Sequence, residues 1–551
     1  MNKETPWVVY KENKPYVLSQ LKDGWVDYMD LTRWSFVDRY FAFLIASGLL
    51  DYVHQTYPDP RERRNIPVGF LIAAQLQMRL HGEAAYYKLP FILRSGSILT
   101  RVKYNLGLKG GGFNYRNRKE REAPIDQDTL RKYFKRSDAE KVEAWYNTEI
   151  AKWYKAHKCF DKKGVFILDP TYLVLPDNPN YKKAAWMPVD ENGHIIDLKR
   201  LSEEEKKRVK RRLCYQQVLL LHLSEERNYF IFAGSHLGAG NESGLTEGEK
   251  LVDNFVERVG KGVIKVLIVD REYIDGPMIT RFKRKHGIDV IVPLKKNMEA
   301  LIDALSCTKL PARQSLGAGG DEIKWEVYKE ERDADGKVVE KEEVVGVGDI
   351  TSWENCEVPL YIVLVRKTTK TKDGEKVHIW ALASTKHYKN PAKVPDIYKL
   401  RIEIEERIDQ IKNCWLVGKF TSPDFNLDMA HVIFTLLTYS TIQIYLRRKK
   451  MQELTNRTIT TLRMKEEAGK DAVIVCRKEK FATFNLYDFI DITLSLKGKP
   501  KQRLHRHVKE VLRKGVRNGE PESEEWRISR ILGEKVLYLK QLFLGYKIRA
   551  P

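Results

Sequence analysis

Apolar residues recur at helical spacing through SFVDRYFAFLIASGLLDYV (35–53) and PVGFLIAAQLQMRL (67–80), so residues 1–155 read as a helical region. A glycine-rich turn at 107–112 interrupts it, and GLKGGG lacks both a preceding strand and a following Lys-Ser/Thr, which argues against a phosphate loop. IDQDTLRKYFKRSDAEKVEAWYNTEIAKWYK (125–155) predicts two helices, with Asp128 or Thr129 as cap, and leaves room for a helix-turn-helix DNA reader. The pattern then changes. GVFILDPTYLVL, QQVLLLHLS and NYFIFAGSHLG are strand-like runs; LTEGEKLVDNFVERVG predicts a helix, GVIKVLIVD a strand, GPMITRFKRKHG a helix and DVIVPLKK a strand.

Three strands followed by helix, strand, helix, strand match a ribonuclease H-like core (156–297 and 381–420), which requires one more helix to close it. That helix comes late. Residues 298–380 alternate in strand fashion through EIKWEVYKEE, KVVEKEEVVGV, PLYIVLVRK and VHIWALAS, joined by DADG and KDG turns, and read as an all-β insertion. From 421 to 551 the chain reads as helical and basic, a possible dimerisation region. The expected class is α/β, with helical N- and C-terminal domains flanking the core.

Composition narrows the function. A formal charge of +22 over 551 residues asks for a polyanionic partner, and basic runs at 101–121, 206–212, 281–285, 446–450 and 497–514 mix with aromatic residues as on a phosphate-tracking surface. Each run taken alone is an ordinary solvated face. Six cysteines stand far apart without CxxC spacing or zinc-finger histidines, as in a reducing cytosol. The N-terminus lacks a signal-peptide core, and MAHVIFTLLTYSTIQIYL (429–446), of borderline spanning length, carries His431, Gln443 and several hydroxyls; no membrane association is expected.

The stretch YKLRIEIEERIDQIK (398–412) gathers four carboxylates and four bases. On one continuous helix, Tyr398, Arg401, Glu405 and Lys412 share a face beside an apolar stripe; Asp409 also falls on that face, and Glu403 points away. A surface helix with i,i+4 ion pairs would look much the same. Two further acids, Asp169 after VFIL and Asp270 after VIKVLIV, follow strands that should be neighbours in the sheet, although strand-end aspartates also serve as turn formers. Three clustered carboxylates would repel one another without bound cations, and an all-oxygen ligand set favours Mg²⁺ or Mn²⁺. Two such ions suit phosphodiester displacement.

The spacing Y-x2-R-x3-E-x6-K, with LDPT (168–171) and VDREYIDG (269–276), resembles the signature of DDE transposases of bacterial cut-and-paste insertion sequences. The subgroup with a β-strand insertion before the third acid fits the step of 135 positions from Asp270 to Glu405. Ile402 departs from the aromatic residue that relatives often place there. The resemblance implies that Asp169, Asp270 and Glu405 bind two Mg²⁺ ions and catalyse, while Asp409 is a bystander. It further implies that Tyr398, Arg401 and Lys412 contact DNA phosphates, and that Trp380 stacks on a flipped base during hairpin formation; Trp325 and Trp353 are rivals for that role. The implied partners are double-stranded DNA bearing terminal inverted repeats and target DNA, engaged by a homodimer in the cytoplasm at the nucleoid. A nuclease or resolvase without strand transfer, or a domesticated DNA-binding protein, are the alternatives.

Overall fold

The structure, a computed structural model, describes residues 7, 9–32, 35–62, 66–93, 125–190, 195–196, 198, 201–226, 229–309, 323–371, 374–451, 454 and 472–515. The glycine-rich turn at 107–112, the basic run at 101–121 and the last part of the C-terminal region lie outside these residues. The chain divides into two compact units: residues 139–413 with 417–455, and the two chain ends with 414–416.

Numbered along the chain, the unit of the chain ends contains strands β1 (Lys11–Glu12), β2 (Tyr28–Thr32), β13 (Ala472–Arg477) and β14 (Lys480–Asn485). They form one sheet in the order β1-β14-β13-β2. Val17 and Leu21 of the helix Lys14–Lys22 pack with Val473, Val475, Phe484 and Phe489 in its core. This corrects the expectation of helical terminal domains. Strands from opposite ends of the chain complete one another, and such short segments show no strand signal until their partner is known. The helices Ser35–Ala46 and Val68–Leu80 form as the apolar spacing predicts. The helix Gln127–Arg136 also forms, but its cap is Asp126, whose side chain accepts from the Asp128 N–H, rather than Asp128 or Thr129.

The other unit is built on a ten-stranded sheet. Its first strands are β3 (Val165–Val174), β4 (Ala185–Val189), β5 (Lys210–Leu223), β6 (Phe230–Ala239), β7 (Val266–Val269) and β8 (Asp289–Pro293). β5 is exposed at Lys210–Arg212 and buried from Leu213 to Leu223, with β3 antiparallel to it and β6 and β4 also paired with it. β7 joins β3 in parallel and β8 joins β7 in parallel, the crossovers being the helix Gly244–Val259 and the helical segment from Gly276 to His286. Ser243 caps the first crossover helix by accepting from the Thr246 N–H. Gly248 lets that helix sit close on the sheet: a Cβ there would lie 2.6 Å from the Tyr273 ring and 3.0 Å from Leu168 Cδ2.

The inserted strands β9 (Glu326–Arg332), β10 (Val338–Ile350), β11 (Leu360–Thr371) and β12 (Gly374–Ser384) do form, but they extend the same sheet, because β12 pairs with β8. The region is not all-β either, since a helix, Glu299–Cys307, precedes them with Ala300, Leu301 and Ala304 buried. A continuous sheet lets Val345, Ile362 and Ala383 share one hydrophobic core with Leu168 and Val269. The helix Phe425–Arg448 is apolar enough to cross a membrane, yet its apolar window is buried within this unit. It lies against β6, with Phe232 and Tyr439 ring centroids 5.3 Å apart and the Phe232 N–H donating to Ser440 Oγ at 3.1 Å. This part of the expected dimerisation region is therefore occupied by intramolecular packing.

Candidate active site

Alternation along β3 puts Asp169, Thr171 and Leu173 on one sheet face. Asp169 is not at a strand tip, as expected from VFIL, because β3 continues to Val174 against β5. It stands where the parallel neighbour runs out. The last β3–β7 pair is Leu168 with Val269, so Asp169 and Asp270 are each one residue past it and lie side by side. Beyond β7, Asp270 begins a 3-10 turn, Arg271–Tyr273, which frees its carboxylate from the sheet.

The third acid arrives on a segmented helix rather than a continuous one: Lys393–Tyr398, a 3-10 turn Lys399–Arg401, then Ile402–Asn413. Three residues per turn in the 3-10 segment line Arg401 up with Tyr398, and the following α turn lines Glu405 up with Arg401. Ile404, Ile408 and Ile411 are buried and anchor the helix.

The result converges on one guanidinium. Arg401 Nη1 donates to Glu405 Oε1 at 2.6 Å, and Nη2 donates to Asp169 Oδ1 and Asp270 Oδ2, each at 3.2 Å. The side chains grade outward, from Asp169 at 10% exposed through Asp270 at 36% to Glu405 at 53%. Burial pushes the Asp169 carboxyl up to about 7; Arg401 pulls against it, while Asp270 and Glu405 push with burial. Burial also opposes the charge on Arg401, but Asp169 and Asp270 outweigh it and hold the guanidinium above its ordinary value. One guanidinium thus serves three carboxylates, with the Lys412 ammonium also acting on Asp169.

The chemistry of the donor set is the test of a divalent cation here. The donors are all carboxylate oxygens from three separate elements, as Mg²⁺ and Mn²⁺ prefer. Among the described residues no three acids are close enough to share an ion in this arrangement, and the Arg401 guanidinium donates to all three of these carboxylates.

The other expected residues surround this centre. Lys412 is half-buried and donates to Thr171 Oγ1 at 2.6 Å, two residues past Asp169; burial lowers its pKa. Trp380 on β12 is half-buried with its ring 6.5 Å from that of Tyr398, whose hydroxyl burial pushes up to about 12. Trp325 and Trp353 instead pack against the hydrophobic core, and the Arg366 guanidinium lies 4.2 Å from the Trp325 ring. Asp409 is exposed and bonds to Asn413, with no bond to Arg401. Sequence reasoning passed over Thr171, which the LDPT motif contains, and Tyr273, a fully buried ring against the acids whose hydroxyl has no partner among the described residues.

A family model described as transposase DDE domain matches residues 160–441, 282 of the 551, a span that contains all three acids and Arg401. No curated protein matches the chain.

Proposed function

The chain belongs to the transposase DDE domain family, whose members cleave DNA and transfer strands with divalent metal ions, and we propose that Asp169, Asp270 and Glu405 carry that chemistry here. The observation that carries the reading is the convergence of these three carboxylates on Arg401, while Asp409 stays outside. We read the sheet as a ribonuclease H-like core with an inserted β extension, on the strand order β6-β5-β3-β7-β8.

Bound in pairs, Mg²⁺, or Mn²⁺ in its place, would polarise the attacking water or 3′-hydroxyl and steady the departing oxygen. The three acids hold that position, and Asp169, the most buried, fixes it to the sheet. Arg401 neutralises the acids before DNA arrives and then turns its guanidinium to a phosphate, since a planar fork matches phosphate as well as carboxylate. Lys412, held by Thr171 on the same face, and Tyr398 are the further phosphate contacts. Trp380, beside Tyr398, takes a flipped base when the cut end folds into a hairpin.

The substrates are double-stranded DNA ends with terminal inverted repeats, cut, pasted into target DNA and held by at least a homodimer, in the cytoplasm at the nucleoid. The test is a labelled repeat end incubated with protein and Mg²⁺. Asp169→Asn, Asp270→Asn and Glu405→Gln should each bind the end and produce no nick, hairpin or joined product, and Asp409→Asn should produce all three. Equal loss in Asp409→Asn and Glu405→Gln would overturn the assignment.

A further inference from the structure

Beyond the cleavage site, β5 carries a basic extension that the chemistry above does not use. β3 pairs with β5 as far as Cys214 and β6 as far as Tyr215, so Lys210–Arg212 have only β4 as strand partner and form a two-stranded ribbon with Met187–Val189, whose outer edge meets Ile195 and Ile196 at Val189 and Pro188. Lys210, Arg211 and Arg212 are exposed, and none makes an ion pair among the described residues. Their neighbours differ: Lys206 is paired with Glu203, and Lys183 with Glu140. Three adjacent unneutralised cations repel one another, an arrangement that a polyanion relieves. Beside them Trp186 is 45% exposed.

The register gives this ribbon a position. Residues paired across antiparallel strands share a face, so Asp169 with Leu219, Trp186 with Leu213 and Pro188 with Arg211 lie on the same face. Lys210 and Arg212 project from the opposite face. From Leu219, opposite Asp169, it is six residues along β5 to Leu213 and eight to Arg211. At roughly 3.3 Å per residue these are about 20 and 26 Å, or about 6 and 8 base pairs of duplex at ~3.4 Å each. A two-stranded ribbon fits the major groove of B-DNA, about 12 Å wide, and this one has cations on both faces to meet both walls.

We propose that the β4–β5 ribbon enters the major groove of the duplex leaving the cleavage site, about 6 to 8 base pairs away, with Lys210, Arg211 and Arg212 on its phosphates and Trp186 against the groove. The register rests on Asp169 marking the cleavage point; the contact itself does not.

Binding is measured without divalent ions, so the outcome is separate from whether the acids cut. The combined variant Lys210→Ala, Arg211→Ala, Arg212→Ala is titrated against salt on a duplex with about 15 base pairs on both sides of the cut, and on duplexes trimmed to about 4 on one side or the other. On the long duplex the log-log slope should flatten by roughly 2.7, or about 0.9 for each of three contacts, and trimming one particular side should abolish the difference from the unaltered protein. Arg211→Lys with Arg212→Lys should keep the slope, which separates lost charge from lost folding. Iodide quenching of the Trp186 contribution, identified by comparison with Trp186→Phe, should fall on the long duplex. An unchanged slope, a difference that survives trimming of both sides, or unchanged quenching would each overturn the proposal.

Discussion

Two places in the sheet unit set three carboxylates around one cation, and they behave in opposite ways. Around Arg401 stand Asp169, Asp270 and Glu405; around His236 stand Glu143 at 2.9 Å, Glu242 at 3.1 Å and Glu247 at 3.7 Å. At His236 the acids have further partners. Glu143 accepts the Leu237 N–H at 3.0 Å and Glu242 the Ala239 N–H at 3.0 Å. Burial opposes ionisation of Glu242, yet the Ala239 N–H and His236 hold its carboxyl below the ordinary range. Burial likewise opposes charge on His236, but Glu143, Glu242 and Glu247 outweigh it and raise the imidazole to about 9. Asp169 has no such backbone donor among the described residues, and burial pushes it up to about 7. Backbone donors keep the acids around His236 charged, whereas burial outweighs Arg401 at Asp169.

Exchanging one acid in each place should separate the two most sharply. Asp169→Asn should cut cleavage on the order of 10³-fold or more, since metal ions supply several kcal/mol to such a step, with melting temperature held or raised. Glu143→Gln should do the reverse, lowering the melting temperature while folded protein still cleaves. Cleavage assays on repeat ends, paired with thermal melts, check both; a collapse of cleavage in folded Glu143→Gln would erase the distinction.

Removing the cation comes next. Arg401→Ala frees the three acids, so Mn²⁺ affinity without DNA, followed by electron paramagnetic resonance, should rise about tenfold, the effect of ~1.4 kcal/mol of relieved charge competition. Affinity unchanged or lowered would mean that Arg401 helps to shape the metal position rather than filling it. A similar magnitude is expected at the neighbouring ring. Trp380→Ala should reduce hairpin formation about tenfold, from lost base stacking of ~1–3 kcal/mol, and spare the first nick; uniform loss of all products with a lowered melting temperature would make Trp380 a packing residue.

The His236 cluster predicts a pH dependence of known sign. Its folded-state pKa lies above the unfolded value, so its stabilisation is complete below about 6.5 and is lost as pH rises through about 9. Melting temperatures of the unaltered protein should fall across that window more than those of His236→Gln, and parallel curves would remove the cluster from the stability account. The smallest effect concerns salt: Lys412→Ala should flatten the binding slope by roughly one contact, and Asp409→Ala should not.

The amino-acid order alone determined much of this centre. The apolar runs ending at Asp169 and Asp270, and the i,i+4 relation of Arg401 to Glu405, are local features, and local spacing is what periodicity reports. The β-type texture of 326–384 was equally legible. Three matters belonged to the tertiary structure. The sheet of the chain ends joins Tyr28–Thr32 to Ala472–Arg477, and no local pattern encodes pairing across more than four hundred residues. The inserted strands became part of the main sheet through β12 and β8, a choice set by which edge was open. Arg401, a phosphate ligand by the family resemblance, donates here to Asp169 and Asp270 because strand register carries both carboxylates within 3.2 Å of it.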